Sequence, residues 1–278
     1  MSVTLNDVVG FVTSIIMVIG SLIVHEYAHV LAAKYLGAKV EKISPMPLGF
    51  SAKLKKVETL RLWERYVVYG AGAAANGMIA IIAMTNHHLS YIGILWLERL
   101  AFYNLVLCIF NLLPVFPLDG GQLAQQFLGN RMGIIRANRL ILKVGHRVSW
   151  LIIALGCIQI VLFPYNFTLL LAGFYIKQRS KNITPQMQLA FFQALQAKDI
   201  QERARTMPVR TLFVLPDTAL QYILERLTTD YLIMIYIDEV RMFSERALVS
   251  HIFTYGLSGT AEDVYNGQKS APQKLGIS

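Results

Sequence analysis

Val24-His25-Glu26-Tyr27-Ala28-His29 decides how the chain is read. The segment lies inside an apolar run from about Val8 to Gly37. On a helix, positions i and i+4 share one face, so the two imidazoles can converge on a single metal ion. Glu26, next to His25, is placed to act on a water rather than on the metal. Two neutral nitrogens as ligands and a carboxylate as general base are the parts of a hydrolytic metal site. Five-residue motifs also arise by chance, and a satisfied polar cluster between packed helices is the alternative. Location decides here, because ionisable groups inside a membrane-spanning segment are costly and mark function by default.

Composition agrees with a membrane setting. Of 278 residues, 55% are hydrophobic and only 15% charged, and the mean hydropathy is +0.47. That is too apolar for an ordinary soluble protein of this length. It suits a helical membrane domain with one small soluble domain. No cleavable signal is expected, since the first apolar run carries the motif and no basic segment precedes it. Cys108 and Cys157 both fall in apolar runs and read as small core hydrophobes.

Five apolar stretches are long enough, or nearly so, to cross a bilayer: Val8–Leu36, Tyr66–Thr85, Tyr91–Leu113, Val148–Phe163 and the short Phe167–Tyr175. The net charge of +9 is distributed unevenly around them. Lysines and arginines crowd the connections 34–65 and 130–147 and the segment from Lys177 to Lys181, whereas 86–90 and 164–166 have none. The positive-inside rule then predicts an outside N-terminus, five crossings and a cytosolic C-terminus. This explains the basic balance without nucleic acid.

Between the first two stretches, Val40–Leu54 contains Pro45, Pro47 and Gly49, which exclude a helix interior. Short strands or an extended loop are expected there. Two uses remain open: a sheet edge that receives an unwound substrate as an added strand, or a plain connecting hairpin. The second stretch carries Gly70-Ala71-Gly72-Ala73-Ala74-Ala75-Asn76, small residues that let helices approach closely. Asn76 is either an interhelical hydrogen-bonding residue or part of the active site. The third stretch ends in Asn111-Leu112-Leu113-Pro114-Val115-Phe116-Pro117-Leu118-Asp119-Gly120-Gly121. Its prolines break the helix and present a carboxylate at the cytosolic end, at the depth expected for His29. Asp119 is favoured as a third metal ligand, leaving a fourth position for water. The alternative is an N-cap for a helix 120–128. His87, His88, His146 and His251 are not expected to be ligands.

From Ser180 the character changes. Thr184-Pro185 opens a predicted linker helix to about Arg205. A strand at 212–215, a turn at Pro216-Asp217, a helix at 218–227 and a strand at 231–238 follow. Ser244 is the expected N-cap of a helix to Tyr255, and residues from Asn266 are expected to fray. The predicted organisation is a membrane domain 1–180, a linker helix 181–206, a small α+β domain 207–265 and a tail 266–278.

With these pieces in place the chain resembles the site-2 protease family, zinc proteases that cut inside membranes. His25-Glu26-Tyr27-Ala28-His29 is similar to its first motif, and residues 111–121 to its second. The run Phe102-Tyr103-Asn104-Leu105 and the C-terminal tail resemble the stage IV sporulation protein FB subgroup. Residues 207–263 are similar to one repeat of its cystathionine-β-synthase (CBS) domain. The resemblance implies zinc on His25, His29 and Asp119, Glu26 as general base, and Asn111 facing the active site to hold the substrate carbonyl. The family's Gly-Pro-x-x-Asn segment is matched at 72–76 with Ala73 in place of proline, and so implies a substrate role for Asn76. Members of that subgroup carry one more span ahead of the motif. In the CBS-like repeat, the position where nucleotide binders often carry aspartate is Ala247.

The expected fold is therefore mainly α: a polytopic helical membrane protein of about five spans, with an interfacial β-hairpin and a cytosolic α+β CBS-like domain. The expected function is intramembrane zinc endopeptidase, acting on a membrane-tethered pro-sigma or anti-sigma factor. The alternatives are a protease that clears signal-peptide remnants or releases pheromones, and a non-enzymatic metal-binding scaffold or transporter. No repeated halves of the transporter kind are evident. The resemblance also brings ATP at the CBS-like domain, membrane inhibitor proteins and homo-oligomers into consideration. It places the chain in a bacterial cytoplasmic membrane, around the forespore if it serves sporulation.

Overall fold

A run of apolar side chains with no proline and no internal break has one way to satisfy its backbone in lipid, which is a continuous helix. The computed structural model shows that helix, α1 (Leu5–Tyr35), 31 residues long. The structure describes residues 5–46, 49–55, 57, 60–86, 94–163, 166–180, 208–228 and 231–270. His87, His88, the predicted linker helix and the last eight residues lie outside the described residues. At 1.5 Å per residue α1 is about 46 Å long, more than a bilayer's hydrocarbon core needs. It exposes Phe11, Ile16 and Leu31, a face tolerable in lipid and costly in water.

After α1 the chain forms an antiparallel hairpin, β1 (Lys39–Met46) and β2 (Gly49–Lys55), pairing Lys39 with Lys55 and Met46 with Gly49. The strands expected around the two prolines are present. Helix α2 (Leu62–Thr85) follows, and α3 (Ile94–Asn111) packs on it. Helix α4 (Asp119–Met132) and the 29-residue α5 (Ile134–Leu162) come next, then α6 (residues 168–180). Among the described residues, three helices are long and apolar enough to cross a membrane: Val8–Tyr35, Leu62–Thr85 and Ile134–Leu162. The last of these begins 14 residues before the predicted Val148. Arg136, Arg139, Lys143 and Arg147, expected in a connection, lie within its first turns.

Two compact units divide the chain: residues 1–126 with 141–186, and residues 127–140 with 187–278. The second unit thus includes a segment ahead of the boundary expected at 180. In the first unit, α1, α2 and α3 pack together. Ala33, Ala38, Val57, Leu60 and Val68 close the end of the bundle where α1 turns into the hairpin. Val115, Leu118, Ile152 and Ile176 anchor the loop after α3 against α5 and α6. Gly156 and Gly173 let those two helices approach closely.

The second unit holds a three-stranded sheet of order β3-β4-β5: β3 (Val209–Phe213), β4 (Leu232–Tyr236) and β5 (Met242–Ser244). Strands β3 and β4 are parallel, β4 and β5 antiparallel. Helix α7 (Leu220–Leu224) joins the parallel pair, and α8 (Glu245–Tyr255) and α9 (Ala261–Ser270) follow. The Ser244 hydroxyl accepts from Ala247 N–H, the expected N-cap. Three elements differ from expectation. Strand β3 starts three residues before the predicted 212, α7 is half the predicted helix, and residues 266–270 are helical rather than frayed. The last follows from Ala261 and Val264, both buried in the core with Ile223, Ile235, Phe243 and Leu248. Segment 127–140 belongs here because Ile134 and Ile135 pack on that core. Arg136 and Arg139 also reach Glu225, at 3.2 and 2.7 Å.

Candidate metal centre

The i, i+4 spacing on α1 turns His25 and His29 to the same side, toward α2. Both are buried, at 2% and 8% exposure. The Nδ1 of His29 donates to the backbone carbonyl of Val68 at 2.7 Å. That bond leaves Nε2 as the free lone pair and aims it inward. His29 Nε2 lies 3.3 Å from His25 Nε2.

Asp119 arrives from 90 residues beyond His29 in the chain. Gly120 and Gly121 permit its placement, since a Cβ on Gly120 would sit 2.2 Å from the Leu112 carbonyl oxygen and one on Gly121 2.6 Å from Val115. The proline-rich loop can therefore fold back over the first turn of α4. One carboxylate oxygen of Asp119 lies 3.0 Å from Nε2 of each histidine. Asp119 is the first residue of α4 rather than a cap outside it, and its carboxylate is spent on the histidines.

These three ligand atoms lie within 4.8 Å of one another, and no other such group occurs among the described residues. His146 and His251 stand apart from this group: one accepts from the Trp150 indole N–H and the other lies against the Tyr255 ring. The donor set fits zinc. A tetrahedral site with bonds of about 2.0–2.1 Å places its ligand atoms roughly 3.3 Å apart, against the 3.0, 3.0 and 3.3 Å seen here. Gly72 of α2 supplies the room. A Cβ built there would lie 2.3 Å from His29 Nε2, 2.6 Å from His25 Nε2 and 2.7 Å from His25 Cε1, so only a residue without a side chain lets both rings stand where they do. Sequence reasoning counted Gly72 among small packing residues and as the start of the segment 72–76, but gave it no part in the metal site. The one available signal was its position four residues before Asn76.

Glu26 is half-buried beside His25. Asn76 is fully buried, and neither its Oδ1 nor its Nδ2 has a hydrogen-bond partner. Of the two uses open for it, neither an interhelical hydrogen bond nor a bond to a site residue is seen in this structure. Asn111 ends α3, and its amide donates to the Leu107 carbonyl at 3.0 Å. The second N–H of that amide remains for another acceptor.

The profile of Peptidase family M50 matches residues 13–92 and 86–155, more than half of the chain and all of this site. The chain belongs to peptidase family M50. Its similarity extends to a zinc metalloprotease of Methanocaldococcus jannaschii, 24% identical over 225 residues, 80% of this chain and 62% of that protein. Stage IV sporulation protein FB of Bacillus subtilis is 25% identical over 159 residues, 57% of this chain and 54% of that protein. Among solved structures, the site-2 protease from Methanocaldococcus jannaschii is similar with a TM-score of 0.49 and 26% identity. It covers 60% of this chain and 75% of its own. The chain thus spans less than two thirds of the curated relatives' length. As an M50 member with three membrane-length helices, it is a membrane protein of the site-2 protease kind.

Proposed function

We propose that this M50 member is an intramembrane zinc endopeptidase that cuts a membrane-tethered regulatory protein in or near its transmembrane segment. The observation that carries it is the convergence of His25, His29 and Asp119 over the side-chain-free surface of Gly72. A zinc ion held by the three would supply Lewis acidity, polarising water and the scissile carbonyl. The remaining chemistry belongs to the chain's own residues. Glu26, one position after a ligand, removes the proton of the attacking water and returns it to the leaving amine. The free N–H of Asn111 steadies the oxygen on which negative charge develops. The β1–β2 hairpin offers an edge to which an unwound substrate adds as a strand, because a helical substrate hides its amides.

Five crossings, an outside N-terminus and a cytosolic C-terminus are the topology that the lysine and arginine distribution supports. In a bacterial cytoplasmic membrane that orientation puts the site near the inner surface. Substrates of the pro-sigma or anti-sigma type fit this placement, and the similarity to stage IV sporulation protein FB favours the pro-sigma type and a sporulation setting. The β3-α7-β4-β5-α8 order of the C-terminal unit supports a single CBS-like repeat with a regulatory role. Nucleotide binding there gains no support, since the Ser244 hydroxyl is occupied in capping α8. Co-expression with a tethered pro-sigma-like substrate tests the proposal. Wild type releases the soluble product and Glu26→Gln does not; release by both refutes the mechanism.

A further inference from the structure

The two histidines are not equally supported. His29 has its second ring nitrogen on the Val68 carbonyl, whereas His25 Nδ1 is buried with no hydrogen-bond partner. A histidine that ligates a metal through one nitrogen almost always donates the other N–H to an acceptor, which fixes its tautomer and orientation. A buried N–H without one loses its hydration and gains nothing in return. The acceptor that His25 lacks should be near and should itself be short of a donor.

Asn76 meets both conditions. It is 0% exposed, and both of its amide atoms are unpartnered. Position follows from the pairing of α1 with α2. Val68 meets His29, and Gly72 lies under both imidazoles, with His25 Cε1, the carbon bonded to Nδ1, 2.7 Å from its built Cβ. Asn76 is one turn further along that face of α2, and i, i+4 positions hold their Cβ atoms about 5–6 Å apart. Side chains on a helix lean toward its N-terminus, so the Asn76 amide leans back toward Gly72 and the His25 ring. Asn104, also buried, has an unpartnered Oδ1 as well, but its amide is held in place on α3 by donating to Ser21 Oγ at 2.8 Å and to the Leu100 carbonyl at 2.9 Å, whereas nothing holds the Asn76 amide.

We infer that Asn76 is the positioning residue for His25: its Oδ1 receives the Nδ1 proton, by rotation of the amide or across one trapped water. It acts through a ligand rather than on substrate, so it is not a catalytic residue. The inference rests on the zinc reading of His25, His29 and Asp119.

The test is zinc affinity of the full-length protein in detergent, measured by competition with a chromophoric chelator, with the metal alone as probe. Asn76→Ala and the isosteric Asn76→Leu are expected to bind zinc about 10–100-fold more weakly, while Asn76→Asp, which keeps an acceptor, stays near wild type. If Asn76 only packed, Leu would behave as wild type and Asp would be worst; that order overturns the inference. A second measurement needs no variant. In zinc-loaded wild type labelled with ¹⁵N-histidine, the His25 Nδ1–H is expected to be hydrogen-bonded and protected from solvent exchange. A freely exchanging Nδ1–H overturns the inference. Wild type that binds no stoichiometric zinc would instead overturn the metal reading itself.

Discussion

Gly72→Ala is the sharpest perturbation of this site, because it adds one carbon and touches no ligand. That carbon would stand 2.3 Å from His29 Nε2, 2.6 Å from His25 Nε2 and 2.7 Å from His25 Cε1, far inside van der Waals contact. Methyl group and rings cannot share the space, and a retreat that keeps both Nε2 atoms convergent is barred while His29 is tied to Val68. Zinc affinity should therefore fall by more than the roughly 100-fold typical of losing an outer hydrogen-bond partner. Helix propensity favours alanine over glycine by about 1 kcal/mol, which offsets part of the cost of displacing two buried rings. Gly70→Ala is the matched control, because a Cβ there meets nothing within 4 Å. Metal analysis and chelator competition on both purified variants, with a thermal melt of each, would decide. Gly70→Ala should hold zinc and melt like wild type, and Gly72→Ala should melt somewhat lower and stay empty. Zinc bound by Gly72→Ala at wild-type affinity would refute the role given to this gap.

Four further outcomes are expected. Glu26→Gln should keep its zinc and lose cleavage by about 10²–10⁴-fold, the usual worth of a general base, as read by product release from a tethered substrate. Asp119→Ala should lower bound zinc well below one equivalent and abolish cleavage, whereas Asp119 acting as a mere helix cap would cost only about 1 kcal/mol of stability. Glu225→Ala should destabilise the C-terminal unit by about 1 kcal/mol, discounted for the exposure of Arg136 and Arg139; a thermal melt followed by amide exchange in β4 checks it. Asp238 is held down to about 2, chiefly by the backbone N–H of Arg241 and then by its guanidinium. A folded value below the ordinary 3.8 contributes stability that is complete above pH 4 and lost as pH falls toward 2. Amide exchange in β4 of the full chain should accelerate across that window, and less steeply in Arg241→Ala.

The metal centre was legible because its ligands obey spacing rules that chemistry imposes. Two imidazoles four residues apart share a helix face, and a carboxylate released by Pro114 and Pro117 can be carried to them. The extent of α5 was not legible in the same way. Its first half, Ile134–Arg147, carries enough arginine and lysine to read as a connection, yet Ile134, Ile135, Ala137 and Ile141 still recur at helical spacing, with Ala137 and Ile141 buried. The charge pattern concealed the continuity of the helix. Helix α9 was misread for a related reason. Ala261 and Val264 give it only two core positions, and its start is fixed by Asp263, which accepts from both the N–H and the hydroxyl of Thr260. Composition weighs the many polar residues, whereas the fold depends on the two that are buried.

What the sequence hid most completely is the part played by a helix that supplies no ligand. Val68, Gly72 and Asn76 occupy one stripe of α2 at intervals of four, and each serves the histidines opposite by a different means. Val68 offers a backbone carbonyl, which any residue there would offer. Gly72 offers the lack of a side chain, and Asn76 an amide buried where an apolar residue would pack at lower cost. Only the last is chemically conspicuous in a sequence, and taken alone it reads as helix glue. The stripe acquires meaning once α1 is laid against it in antiparallel register, because that register sets carbonyl, gap and amide against His29, the ion position and His25 in turn. A one-residue slip of α2 would turn the stripe about 100° away. It would leave two imidazoles facing the methyl groups of the neighbouring alanines, so packing between α1 and α2 governs metal binding as directly as the ligands do.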